Sequence, residues 1–151
     1  MVPRWIPLLT GLLALLLAAQ AQEPLASRYA AVTIDPAHTS IYIGNVTLTM
    51  PPLAREGGTY AATYSARVFP FFFYSEQGKL WIDCSDEDLA RLDRGETVDF
   101  TGHAQADDGS ERRIEGRATR IDAAGGKIKV RVFVSKRIEL IFNTTYRFGK
   151  S

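Results

Sequence analysis

Lys127-Ile128-Lys129-Val130-Arg131-Val132-Phe133-Val134 decides the fold. Successive side chains of an extended chain point to opposite faces. Ile128, Val130, Val132 and Val134 therefore share one face, and Lys127, Lys129 and Arg131 share the other. This is a strand with a core on one side and water on the other. The alternation recurs in Thr59 to Val68, where Tyr60, Ala62, Tyr64, Ala66 and Val68 share a face. It recurs again in Arg137 to Phe148, with Ile138, Leu140, Phe142, Thr144, Tyr146 and Phe148 in phase.

The separators carry turn chemistry. Arg55-Glu56-Gly57-Gly58, Glu76-Gln77-Gly78, Asp107-Asp108-Gly109-Ser110 and Ala123-Ala124-Gly125-Gly126 each offer glycine for positive φ between strand-like runs. Further runs cover Tyr29 to Ile34, Ser40 to Met50, Phe71 to Ser75, Lys79 to Cys84, Thr97 to Ala104 and Arg112 to Ile121. In Ser40 to Met50 the apolar phase changes from Ile41 and Ile43 to Val46, Leu48 and Met50, which predicts a β-bulge at Gly44-Asn45. The expected class is all-β: an antiparallel meander of about eight strands curled into a small barrel, since closure removes exposed edges. Gly102, Gly116 and Ala118 either mark bends of that barrel or leave space inside it.

One short helix is expected near residues 85–94. Ser85 caps it, Asp86, Glu87 and Asp88 suit its positive end, Arg91 and Arg94 suit its negative end, and Gly95 stops it. Leu89 and Leu92 give it an apolar side that lids the barrel or packs beside it.

Residues 1–21 have the form of an export signal: Arg4, an apolar run from Ile6 to Ala19, and small residues at Ala19-Gln20-Ala21. Cleavage after Ala21 leaves residues 22–151 as one domain, secreted or periplasmic, with no membrane span. With Arg4 gone from the 18 basic residues, cations equal the 17 acids, and this neutrality argues against nucleic-acid binding. The single cysteine, Cys84, excludes an internal disulfide. The sequons Asn45-Val46-Thr47 and Asn143-Thr144-Thr145 fall inside strand-like runs.

Catalytic and metal chemistry find little support, so no enzyme, cofactor or metal is expected. Asp83, Asp86, Glu87 and Asp88 lack the spacing of a calcium loop. His38 and His103 have no short ligand spacing, though with Asp35 or Asp99 they would make a zinc set if the barrel joined them. Asp35, His38 and Ser40 offer triad chemistry without a nucleophile elbow. Cys84, beside three carboxylates, reads as an inert apolar residue rather than an acidified thiol. The cations Arg113, Arg117, Arg120, Lys127, Lys129 and Arg131, interleaved with Asp99, Glu111 and Glu115, read as a solvated sheet face, with an anionic ligand or membrane surface as the other reading.

Phe69-Pro70-Phe71-Phe72-Phe73-Tyr74 is the other conspicuous stretch. Burying a phenylalanine stabilises by roughly 1.5–3 kcal/mol, so strict alternation would leave one greasy face needing cover. Pro70 cannot donate to a ladder and marks a corner, edge or strand start. The rings are then core at a barrel corner, the lining of a ligand cavity, or a protein or membrane contact. On the cavity reading Phe69, Phe71 and Phe73, with Tyr60 and Tyr64, bind an apolar small molecule or lipid. On the contact reading the domain is an envelope protein–protein interaction or structural module.

Tyr29 with Ile34-Asp35-Pro36-Ala37-His38-Thr39-Ser40-Ile41 resembles the first strand and turn of the YceI-like periplasmic proteins, over about a dozen residues. Those are lipocalin-like barrels that bind isoprenoid-type lipids. The resemblance implies an exported barrel of that size.

Overall fold

A computed structural model describes residues 28–149. The expected export signal, residues 1–21, lies outside the described residues. Ten strands run in chain order as β1 (Ala31–Ile34), β2 (Ala37–Ile41), β3 (Gly44–Thr49), β4 (Leu53–Glu56), β5 (Thr59–Phe69), β6 (Glu76–Asp83), β7 (Val98–Ala106), β8 (Glu111–Arg120), β9 (Gly125–Phe133) and β10 (Glu139–Gly149). A short helix, α1 (Asp86–Asp93), joins β6 to β7.

All ladders are antiparallel, and the sheet closes through β5 and β6. The barrel has eight staves rather than ten because two staves are each broken in the middle by proline. Ala31 pairs with Ala54 and Ala37 with Leu48 in one continuous register, so β1–β2 and β3–β4 form a single long hairpin. It is interrupted at Asp35-Pro36 and at Pro51-Pro52, where the rings remove ladder donors. Five steps from Thr49 to Ala54 face four from Ser65 to Ala61 on β5, so the prolines sit on a bulge. Asp35 keeps the broken stave attached: its amide donates to the Thr145 carbonyl at 3.0 Å and its carbonyl accepts from the Thr144 hydroxyl at 3.1 Å.

The small all-β barrel with one short helix is as the alternation predicts, but several local expectations fail, among them Gly125-Gly126, which begins β9 without positive φ instead of forming a turn. Gly44-Asn45 is not a bulge within one strand. Tyr42 and Ile43 form a two-residue reversal, with Ile41 paired to Gly44, and the phase change is that of a hairpin. Neither residue carries a turn signal; Gly44 does the unusual work, taking φ 147° against the Phe69 carbonyl, where a Cβ would collide. Phe71 to Ser75 is not a strand, because the chain leaves the β5 ladder at Phe69 and makes a 3-10 turn at Phe72–Tyr74. Glu76-Gln77-Gly78 is then not a turn but the start of β6.

The helix forms as its sequence dictates. The Ser85 hydroxyl accepts from the Asp88 amide at 3.1 Å, and the Asp88 carboxylate accepts from the Ser85 amide at 3.2 Å. Gly95 ends it at φ 85°. Leu89 and Leu92 are buried against the barrel end, while Asp93 accepts from the Tyr29 hydroxyl at 2.9 Å and pairs with Arg28 at 3.2 Å. Arg120 also reaches Asp93, so it belongs to this end and not to the outer basic stripe. The rest of that stripe is interleaved with acids, as in Arg117–Asp99 at 2.7 Å and Arg131–Glu139 at 2.6 Å. Asn45 and Asn143 both lie on outward, exposed positions of strands.

Candidate functional site

From β5 to β10 the lumen-facing strand positions are even-numbered, so each strand sends its alternate side chains inward. Eight staves make a lumen just wide enough for side chains to fill. Here three inward positions carry alanine. Ala66, Ala104 and Ala118 stand on β5, β7 and β8 and face β9, the β1–β2 stave and the β3–β4 stave across the lumen. The result is a cavity of about 780 Å³ running along the barrel, lined almost wholly by apolar side chains. The three sheet glycines among these small residues act differently, since a Cβ on Gly78 or Gly102 would strike a neighbouring carbonyl oxygen and one on Gly116 would strike the Phe100 ring. The glycines mark close approach, and the alanines leave the space.

The two ends differ. α1 covers one end, where Leu92, Val98 and Phe148 line the cavity floor. At the other end the lining reaches Tyr42, Ile43, Tyr74 and Ile138, all exposed, on the β2–β3, β5–β6 and β9–β10 connections. The cavity therefore opens there.

Polar groups in the lumen are few. Near the mouth, Glu76 accepts from the Tyr64 hydroxyl at 2.5 Å and from Arg112 at 2.9 Å, so both carboxylate oxygens are engaged. Burial, with Glu76 close by, pushes the Tyr64 phenol upward. Tyr60 donates to the Tyr29 carbonyl at 2.7 Å, and burial raises its phenol too. Tyr146 differs from both: 5% exposed, it lines the cavity and its hydroxyl has no hydrogen-bond partner among the described residues. Burial pushes that phenol up to about 12, so it is a neutral donor at any ordinary pH. A buried unpaired hydroxyl is costly, and with almost no surface of its own open to the cavity that cost is borne by the fold.

Tyr60 and Tyr64, predicted as ligand contacts, do line the cavity. Phe69, Phe71 and Phe73 do not: they are 60%, 40% and 75% exposed and lie outside the lining. Neither core burial at a corner nor a place in the lumen describes them. Once the chain turns in a 3-10 helix the period-two assignment lapses, and the rings pack on each other, Phe71 to Phe73 at 5.7 Å and Phe73 to Tyr74 at 4.5 Å. Sequence reasoning missed Glu76, Arg112 and Tyr146 as site residues. Their signal was a polar group on the even, inward phase.

The alternative chemistries do not assemble. His38, on β2, bonds the Thr47 hydroxyl at 2.9 Å, and His103, on β7, stacks on Trp81 at 4.7 Å on a stave across the barrel. Ser40 bonds Asn45 and Asp35 bonds Thr145, so each triad candidate has another partner. No group of three or more His, Cys, Asp or Glu able to hold a metal ion occurs among the described residues. No helix among them is long and apolar enough to cross a membrane.

Cys84 lines the floor, and burial, helped by Asp88, pushes its thiol up to about 11. The folded value lies above the ordinary 9, so the neutral thiol's contribution to stability is complete below pH 9 and is lost as pH rises from there through about 11. At pH 8 the folded chain should react with an aromatic disulfide reagent roughly a hundredfold more slowly than the urea-unfolded chain, the factor that two pKa units impose on the thiolate. Stopped-flow absorbance measures both rates, and equal rates would rule out the burial.

Compared with protein-family models, curated proteins and solved structures, the chain finds no significant match in any of the three. Its function has to be read from the cavity and the rim.

Proposed function

We propose that this is an exported, non-catalytic binding protein whose barrel takes up one elongated, mostly apolar small molecule of lipid-like character. The carrying observation is the cavity of about 780 Å³, walled almost wholly by apolar side chains and open at one end. That volume lies in the range of small-molecule sites, which combine apolar walls with a few placed polar groups. The ligand threads its apolar body along the lumen past Ala66, Ala104 and Ala118, with any polar end toward the mouth. Glu76, Arg112 and Tyr64 satisfy one another and set the polar level near the mouth. The apolar run and small residues at the N-terminus support a place outside the cytoplasm.

The test is titration of purified protein with a long-chain fluorescent probe, alongside native mass spectrometry for co-purifying lipid. Saturable binding of one probe per chain is expected. Absence of both saturable binding and co-purifying lipid would sink the proposal.

A further inference from the structure

The aromatic segment outside the cavity has a place in the fold that its sequence did not disclose. Four connections surround the open end, and the stave order fixes their sequence around it: the β2–β3 hairpin, the β5–β6 loop, the β7–β8 turn and the β9–β10 turn. Three of them carry exposed apolar side chains: Tyr42 and Ile43, then Phe69 and Phe71 to Tyr74, then Ile138. Tyr42 projects fully into solvent, and no residue of the 3-10 turn is buried. Isolated exposed hydrophobes are ordinary, but a patch gathered on one end of a monomer is not.

Charge is distributed around the same rim. Arg67, on the outer face of β5 just before the aromatic loop, and Lys136 and Arg137, in the β9–β10 turn, are exposed and make no ion pair among the described residues. The acidic turn Asp107-Asp108 lies diametrically across the mouth from the β2–β3 hairpin. The hairpin sector is thus aromatic and flanked by unpaired cations on both sides; Asp107 and Asp108 are held away from it, and the nearer acids Glu76 and Glu139 are each paired with an arginine.

We propose that this rim docks on the surface of a lipid bilayer containing anionic lipid, hairpin sector first, with the rings of Phe71, Phe72 and Phe73 entering the headgroup region. Aromatic rings and tyrosine hydroxyls suit that boundary, and cations beside them are attracted to anionic headgroups. A second copy or a folded partner would seal the mouth with protein. A bilayer instead offers the cavity an apolar phase from which to exchange its occupant. This last step rests on the cavity reading; the docking itself rests only on the rim.

The test places an indole at the rim. The purified Phe73→Trp chain is mixed with phosphatidylcholine vesicles containing phosphatidylglycerol, with and without brominated acyl chains, and compared with the parent. Bromine quenching of the added indole is expected, while Trp81, on the outer wall of β6, stays unquenched. Phe71→Ser, Phe72→Ser and Phe73→Ser combined should weaken vesicle binding by roughly a thousandfold, at about tenfold per ring. Arg67→Glu with Lys136→Glu should abolish the preference for anionic over neutral vesicles. Unchanged thermal midpoints and unchanged equilibrium binding of the soluble probe identify these as rim effects. Vesicle binding that survives the triple substitution overturns the proposal, as does concentration-dependent dimerisation that shields the introduced indole in place of vesicle contact. If the parent docks but binds no probe, the rim stands and the cavity reading falls.

Discussion

Replacing Ala66 and Ala104 together by phenylalanine is expected to lower the affinity for an apolar probe at least tenfold while leaving the barrel folded. Both are small inward-facing residues that line the cavity. Ala66 lies opposite Glu76 and Leu48 in the sheet, and Ala104 lies opposite Leu80 and Arg112, so the two rings enter at the mouth half and nearer the middle. In a packed core such enlargement would overfill and cost about 1–3 kcal/mol. In a hollow lumen the rings gain apolar burial of their own, worth roughly 25 cal/mol per Å², and take up space a ligand would use. Probe titration and thermal melting separate the two cases. Lost binding with an equal or higher melting temperature is the result expected of a hollow barrel. Lost binding with a fall in stability of several kcal/mol would mean that the interior is already full.

The alternation made the barrel legible because one face of every stave is buried and one is wet, which forces period two wherever the strand is regular. It was least informative where local geometry departs from that period. Tyr42-Ile43 is a reversal without turn residues, since the strain is taken by Gly44 behind it. The aromatic loop reads as strand because its residues have high strand propensity, yet Pro70 and the 3-10 turn that follows release it from the ladder and aim its rings at solvent.

The helix, by contrast, was fully specified locally. Cap, dipole charges and glycine stop all lie within the same short segment, and no distant contact was needed to place them. The site was half legible. Tyr60 and Tyr64 followed from phase alone, whereas the hollow depends on which strands stand opposite one another. Small residues at Gly102, Gly116 and Ala118 announce either bends or space, and only the paired strands distinguish the two.

Gly126→Ala is expected to be among the most damaging single substitutions in this chain, costing about 3 kcal/mol or more, while Gly58→Ala is expected to be neutral or stabilising. Both glycines sit in runs that read from sequence as turns, and neither has positive φ, so backbone conformation does not separate them. Their surroundings do. Gly126 is buried in β9 between β8 and β10, facing Arg120 on one side and Tyr146 on the other. A Cβ there would collide with the Thr119 carbonyl oxygen, a backbone atom that cannot swing away without breaking its stave. Overpacking against a flexible side chain costs about 1–3 kcal/mol, and a rigid acceptor places this case at or above the upper end. Movement of β9 would also drag Tyr146 and the cavity floor, so probe binding should fall along with stability. Gly58 has nothing nearer than the Cys84 carbonyl at 3.9 Å, and alanine there restricts the unfolded chain, contributing about 0.4–1 kcal/mol. Urea midpoints for the two variants at neutral pH provide the comparison. A Gly126→Ala chain as stable as the parent would show that β8, β9 and β10 are not in the close register on which the closed barrel depends.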